Sequence, residues 1–143
     1  RNARLLPRPE QRPRIPVWVA AMLPFKAGQR RAAKWDGIMP HVMPPNLDET
    51  QDTSGLDLRI AFSPSPEQIR EVTEFAAGLR DSDEPFDVVA SGVTYGLEED
   101  EVAGRLRAYE EAGATWWCEW LDCGRPDTLE EVQAQIQAGP PAH

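Results

Sequence analysis

The chain has 143 residues, a mass of 16.0 kDa and a formal net charge of −9 at pH 7, which is enough length for one domain with a packed core. The acidic balance argues against a protein that binds nucleic acid, because phosphate binding needs a basic face. The sequence contains no apolar run near the ~20 residues of a membrane span and no signal-peptide pattern. We therefore expect a cytoplasmic protein without a membrane partner.

The first 14 residues differ in composition from the rest of the chain. They contain five arginines and three prolines, and proline favours extended, solvated backbone. We interpret residues 1–14 as a connecting segment and residues 15–143 as the folded domain. An arm that binds an anionic surface is the alternative interpretation of residues 1–14.

From residue 15 onward, strand patterns alternate with helix patterns. The nearly continuous apolar run at 15–19 predicts a buried parallel strand, and residues 20–24 are then its outgoing loop. A short helix follows over 26–34, and a brief strand over 37–39. The polar, proline-containing run at 44–54 predicts a long loop.

The second part of the chain repeats this alternation with clear helix signals. Ser65-Pro-Glu-Gln is a capping-box pattern with proline at the first helical position. The predicted strands are 86–90 and 114–118, and a turn with two glycines follows the first of them. Apolar stripes predict three helices, of which the second ends at Gly113 and the third is capped by Thr128. The stripe residues are Ile69, Val72, Ala76 and Leu79, then Val102, Leu106 and Tyr109, then Leu129, Val132 and Ile136.

This alternation predicts an α/β fold with a parallel sheet, in which ligands bind at the carboxyl ends of the strands. Four βα units are half of the eight that close a (β/α)8, or TIM, barrel. Candidate functional residues should therefore come from four regions, which are 20–24, 39–43, 93–96 and 119–122.

The first region is the best ligand candidate. Ala20 and Ala21 are small, so the backbone can approach a ligand closely, and cations follow at Lys26 and Arg30. The alternative is that the alanines end a buried strand and the cations are solvated. The Asp36-Gly37 pair has two interpretations as well, a turn that brings backbone to a cofactor or simple helix termination.

Other reactive residue types indicate little chemistry. Cys118 and Cys123 are five apart, which is neither a redox nor a zinc spacing, so we interpret both as reduced thiols. The only histidines are His41 and His143, and no GxSxG motif is present. We predict no metal site, and we expect His41 to be structural although it lies near the ligand-binding edge.

Aromatic and acidic residues near the last strand have both structural and functional interpretations. Trp116 and Trp120 share one strand face and Trp117 the other, which favours packing over stacking on an aromatic ligand. Glu119 and Asp122 form either an acid/base pair or, as we favour, a solvated or structural pair.

Four segments taken together resemble a known family. They are RIPVWVAA at 14–21, RRAAKWDGIMP at 30–40, AYEEAGATWW at 108–117 and IQAGPP at 136–141. In their order they resemble the carboxyl-terminal half of the luciferase-like flavin-dependent monooxygenases, a group that includes deazaflavin-dependent reductases.

The resemblance implies the last four strands of a (β/α)8 barrel that binds FMN or deazaflavin and acts on a small organic substrate. The positions that match the family's cofactor-binding motifs are Ala20, Ala21, Asp36, Gly37 and Ile38. A glycine common in the first motif is replaced here by alanine, which restricts the backbone. Catalytic residues would come from the amino-terminal half of the barrel, so we assign none.

A half-barrel has unpaired sheet edges and an uncovered interior. We therefore expect the chain to form a homo-oligomer or to pair with an amino-terminal half, and to be inactive alone. A non-catalytic interaction protein and an unrelated (β/α) phosphate-binding protein are the two alternatives.

Overall fold

The computed structural model describes residues 10–43, 62–121 and 129–139. Within these residues it contains four strands and four helices in strict alternation. In chain order they are β1 (Trp18–Leu23), α1 (Lys26–Ala32), β2 (Gly37–Val42), α2 (Pro66–Ala77), β3 (Asp87–Gly92), α3 (Glu99–Glu111), β4 (Trp116–Glu119) and α4 (Leu129–Ala138).

The four strands form one all-parallel sheet in the order β1-β2-β3-β4. β1 pairs with β2 along its whole length, from Trp18 opposite Gly37 to Leu23 opposite Val42. β3 pairs with β4 in the same direction. The predicted α/β class with a parallel sheet is therefore confirmed, and β1 and β4 are the edge strands of the described sheet.

The core lies on one face of this sheet. Alternate strand residues, including Ala21, Ile38 and Val88, form a single buried cluster with Ala32 of α1 and Ile69 of α2. Since side chains alternate between the faces of a strand, these contacts define the covered face. Helices from successive units thus pack on the same face, which is the arrangement of a singly wound sheet.

The opposite face carries the other half of the strand side chains, and we call it the open face. Two of its apolar residues are strongly exposed, Trp18 at 40% and Trp116 at 54%, whereas Val89 and Ser91 on β3 are buried. No helix among the described residues contributes to a core on this side. By alternation its strand residues are Trp18, Ala20, Met22, Gly37, Met39, His41, Asp87, Val89, Ser91, Trp116 and Cys118.

Helix starts follow the sequence signals closely. Ser65 Oγ accepts a hydrogen bond from the Gln68 backbone N–H at 3.4 Å, and Gln68 Oε1 accepts one from the Ser65 N–H at 2.8 Å, so the predicted capping box is confirmed. α3 begins with a second capping box, between Glu98 and Glu101.

Helix ends agree with the sequence in part. Gly113, which follows the C-cap residue Ala112 of α3, has a φ of 97°, the left-handed geometry that glycine accepts. Leu79 was predicted to continue the apolar stripe of α2, but it lies beyond the helix and is exposed. The predicted cap at Thr128 lies outside the described residues.

The predicted strand boundaries need correction. β1 begins at Trp18 and not at Ile15, because the Val17 N–H bonds to the Asp36 carboxylate before the strand ladder starts. Residues 20–23, predicted as a loop, belong to the strand. β2 continues to Val42 and β3 to Gly92, so both reach further toward the ligand-binding edge than their apolar runs indicated.

Candidate functional site

Ala20 and Ala21 lie in the middle of β1 and face opposite sides of the sheet. Ala21 is buried on the covered face against α1, where a Cβ added at Gly28 would lie 3.1 Å from the Ala21 Cβ. Its small size therefore allows α1 to approach the strand. Ala20 is exposed on the open face opposite Met39, so it leaves space there.

Asp36 immediately precedes β2 at the amino-terminal edge of the sheet. Its carboxylate accepts hydrogen bonds from Arg14 Nη1 at 2.5 Å and from the Val17 N–H at 2.6 Å. The hydrogen bond from Arg14, followed by that from Val17, lowers the pKa of Asp36 below its ordinary value. The side chain ties the segment before β1 to the sheet.

Gly37 and Ile38 begin β2 and face opposite sides of the sheet. A Cβ at Gly37 would lie 2.7 Å from Trp18 Cδ1 and 2.6 Å from the Asp87 carbonyl oxygen. Glycine is thus needed for close packing on the open face, and it does not end α1, which stops at Ala32. The alternative of a turn that brings backbone to a cofactor stays a prediction. Ile38 is fully buried in the core on the covered face.

The structure does not bring the five predicted cofactor residues to one ligand-binding edge. Asp36, Gly37 and Ile38 lie at the amino-terminal edge, whereas Ala20 and Ala21 lie in mid-strand opposite Met39 and Pro40. The prediction that residues 20–24 form the loop at the carboxyl end of the first strand was wrong for all but the last position, since the strand extends to Leu23. The contact of these five residues with a cofactor stays a prediction.

The amino-terminal edge of the open face is closed by an aromatic layer around Asp87. Trp18 Nε1 donates to one oxygen of this carboxylate at 2.9 Å, and Trp116 Nε1 donates to the other at 3.1 Å. Thr115 Oγ1 adds a third bond at 3.3 Å. Because three neighbouring side chains already donate to this carboxylate, we interpret the arrangement as structural.

The carboxyl-terminal edge of the open face contains a different set of polar groups, His41, Ser91 and Trp120, which we call the carboxyl-edge cluster. The imidazole of His41 meets the indole of Trp120 edge-on, with ring centroids 6.3 Å apart. β3, which carries Ser91, lies between β2, which carries His41, and β4, which ends one residue before Trp120. Ser91 Oγ and Trp120 Nε1 are buried and have no hydrogen-bond partner.

His41 is partly buried in this cluster, and burial lowers the pKa of its imidazole. The ring is therefore neutral at pH 7 and offers one donor and one acceptor. Sequence reasoning placed His41 at this edge but missed Ser91, since a lone serine in an apolar strand carries no motif. The unpaired hydroxyl becomes visible only when the neighbouring side chains are known.

Glu119 anchors the loop that follows β3. Its Oε1 accepts hydrogen bonds from the Thr94 N–H at 2.5 Å and the Tyr95 N–H at 3.4 Å. Its Oε2 accepts bonds from Thr94 Oγ1 at 2.9 Å and Trp117 Nε1 at 2.7 Å. Gln135 of α4 reaches Oε1 at 3.4 Å. The favoured structural role of Glu119 agrees with these contacts, and Asp122 lies outside the described residues.

The remaining sequence candidates add no chemistry to the described residues. They contain no group of three or more His, Cys, Asp or Glu side chains that could hold a metal ion. Cys118 is a free, exposed thiol, and Cys123 lies outside the described residues. Within the same residues, no helix has both the length and the apolar character to cross a membrane.

The fold and the site together define an α/β protein with a parallel sheet, helices packed on one of its faces, and an uncharged polar cluster at the carboxyl-terminal edge of the other face. No protein-family model matches the chain, and neither a curated protein nor a solved structure matches it.

Proposed function

We propose that this chain is the carboxyl-terminal half of a luciferase-like (β/α)8 barrel, an oxidoreductase that uses FMN or deazaflavin. The observation that carries the proposal is the packing of the described helices on one face of the sheet only. Successive parallel strands with helices on a single side are the unit from which such a barrel is built. The motif resemblance at 14–21, 30–40, 108–117 and 136–141 adds the flavin.

The open face then becomes half of the barrel interior. Its exposed or partly exposed apolar residues, such as Trp18, Met22 and Met39, would pack against an amino-terminal half, and the edge strands β1 and β4 would pair with that half. The aromatic layer around Asp87 would fill the barrel at its amino-terminal end. The carboxyl end, where barrel enzymes bind their ligands, would be left for flavin and substrate.

In this proposal the flavin supplies the redox chemistry, delivering hydride or activating oxygen. This half contributes packing, shape and uncharged hydrogen-bonding groups. The catalytic side chains belong to the other half, and the location of the enzyme in the cytoplasm stays a prediction.

The test begins with the intact mass of the native polypeptide, followed by titration with FMN and with deazaflavin. A mass near twice 16.0 kDa and saturable quenching of flavin fluorescence are the expected results. A native polypeptide that binds neither cofactor would overturn the proposal.

Two substitutions of alanine by leucine test whether flavin binds at the open face. Ala20→Leu adds bulk to the open face and should weaken flavin binding if the cofactor lies along β1. Ala27→Leu adds the same bulk to the exposed side of α1 and should leave binding unchanged. Circular dichroism on both variants separates a blocked site from a disturbed fold.

The exposed open face also favours a second candidate, a non-catalytic protein that uses this face to associate with itself. Trp116 and Trp18 remain strongly exposed, and large apolar patches are typical of interaction surfaces. Sedimentation velocity should then show concentration-dependent association of the 16.0 kDa chain. A monodisperse monomer that binds no hydrophobic dye would contradict both the proposed self-association and the proposal that the chain is a half-barrel with an exposed face.

A further inference from the structure

We propose that the carboxyl-edge cluster binds the hydrogen-bond acceptor of an uncharged ligand, such as the oxygen of a carbonyl or amide group. The proposal is based on the side chains of His41, Ser91 and Trp120 and holds whether or not the protein binds flavin.

Two unpaired donors define the chemistry that this cluster needs. The indole N–H of Trp120 is a donor only, and the Ser91 hydroxyl donates as well as accepts. Both polar atoms are buried without a partner, and Ser91 is 0% exposed. An unpaired buried polar group costs roughly 1–3 kcal/mol, so an acceptor that displaces the side chains covering these atoms and bonds to them would recover part of that cost.

His41 closes the cluster on the side of β2. Its ring meets the Trp120 indole edge-on, so these two side chains lie next to each other although β2 and β4 are separated by β3. Because the imidazole is neutral at pH 7, it adds a donor or an acceptor without adding a charge.

The absence of positive charge on the described strands sets the ligand class. β1, β2, β3 and β4 contain no lysine or arginine. Their two acidic residues are already engaged, Asp87 by the indoles of the aromatic layer and Glu119 by the loop after β3. A carboxylate or phosphate would therefore find no counter-charge on the strands, whereas a neutral acceptor loses little on transfer from water.

The neighbouring open-face positions suit an apolar or aromatic body on the ligand. Met22 is opposite His41 in the β1–β2 register, and Cys118 is opposite Ser91 in the β3–β4 register. Methionine adapts its shape to irregular ligands. The cluster thus combines two hydrogen-bond donors with neighbouring side chains that suit an apolar group.

The test uses benzamide as the neutral probe and benzoate as its charged counterpart, followed by the indole N–H signals of the five tryptophans in ¹H–¹⁵N spectra. Trp18, Trp116 and Trp117 already donate to carboxylates, so their signals should change little. The signal that disappears in Trp120→Phe identifies Trp120. Benzamide should shift that signal saturably at millimolar concentration, and benzoate should not.

Ser91→Ala provides the decisive variant, since it removes an unpaired hydroxyl and should not weaken the fold. We expect it to raise the Kd for benzamide about tenfold, the loss of one hydrogen bond. Ser82→Ala in an exposed loop is the matched control and should leave the Kd unchanged. The proposal is overturned if benzamide causes no saturable shift, if benzoate binds equally well, or if Ser91→Ala binds benzamide as tightly as the parent.

Discussion

Trp18 and Trp116 lie on the two edge strands of the sheet, yet their ring centroids are only 5.3 Å apart. Three interstrand spacings of about 4.8 Å separate those strands, so the two indoles lean toward each other across β2 and β3. Both donate to Asp87, which holds them in place. The contact depends on the glycine at position 37, because a side chain there would occupy the space of Trp18.

Removing the shared acceptor should loosen this layer. Asp87→Ala leaves two indole N–H groups and the Thr115 hydroxyl without their present partner. We expect the free energy of unfolding to fall by about 1–2 kcal/mol in urea denaturation, since the groups are only partly shielded from water. Asp83→Ala, in an exposed loop, serves as the control. Equal stability of the two variants would contradict the role assigned to Asp87.

A pair of glycine substitutions tests the close approach at the same edge. Gly37→Ala places a Cβ 2.6 Å from a backbone oxygen, and such overpacking should cost about 1–3 kcal/mol. Gly104→Ala lies within α3 with open space around it, so it should stabilise the protein by roughly 0.5–1 kcal/mol through helix propensity. Thermal unfolding of both variants measures the difference, and a shift of the same sign in both would be inconsistent with this packing.

Glu119→Gln should release the loop after β3. The amide places an N–H₂ group where one carboxylate oxygen now accepts hydrogen bonds from Thr94 or Trp117. We expect a loss of about 1–3 kcal/mol and faster proteolysis between Val93 and Leu97. Glu71→Gln, exposed on α2, removes the same charge and should not change the cleavage rate. Unchanged cleavage in Glu119→Gln would show that the carboxylate does not hold the loop.

The ion pair of Arg14 and Asp36 should make stability depend on pH in the acid range. The folded-state pKa of Asp36 lies below its ordinary value because of the bonds from Arg14 and Val17. The stabilisation is therefore present above an ordinary aspartate pKa of about 3.9 and is lost as pH falls through the lowered folded-state pKa.

A comparison with Asp36→Asn measures this dependence. The parent should be the more stable protein at pH 7, and the difference should shrink as the solution is acidified. Added salt should also reduce it, since the pair is exposed. A difference that stays constant from neutral to acid pH would contradict the assignment.

Much of the fold could be predicted because local signals and burial agree. The capping box at Ser65, the left-handed Gly113 and the stripe Ile69, Val72 and Ala76 all have the predicted roles. Strand ends were harder to predict because apolar runs do not mark hydrogen-bonded ladders. At β1 the Asp36 carboxylate accepts a hydrogen bond from the Val17 N–H. The strand therefore begins after the first apolar residues of the run that predicted it.

The sequence by itself determined the alternation of strands and helices, since periodicity and capping residues act over a few neighbouring positions. Only the tertiary structure decided which side of the sheet each residue faces and which polar atoms remain unpaired. Ser91 and Trp120 are 29 positions apart in the sequence, and their buried, unpartnered atoms arise from the packing of separate strands. Such long-range placement depends on register and on what covers each face, which no local pattern encodes.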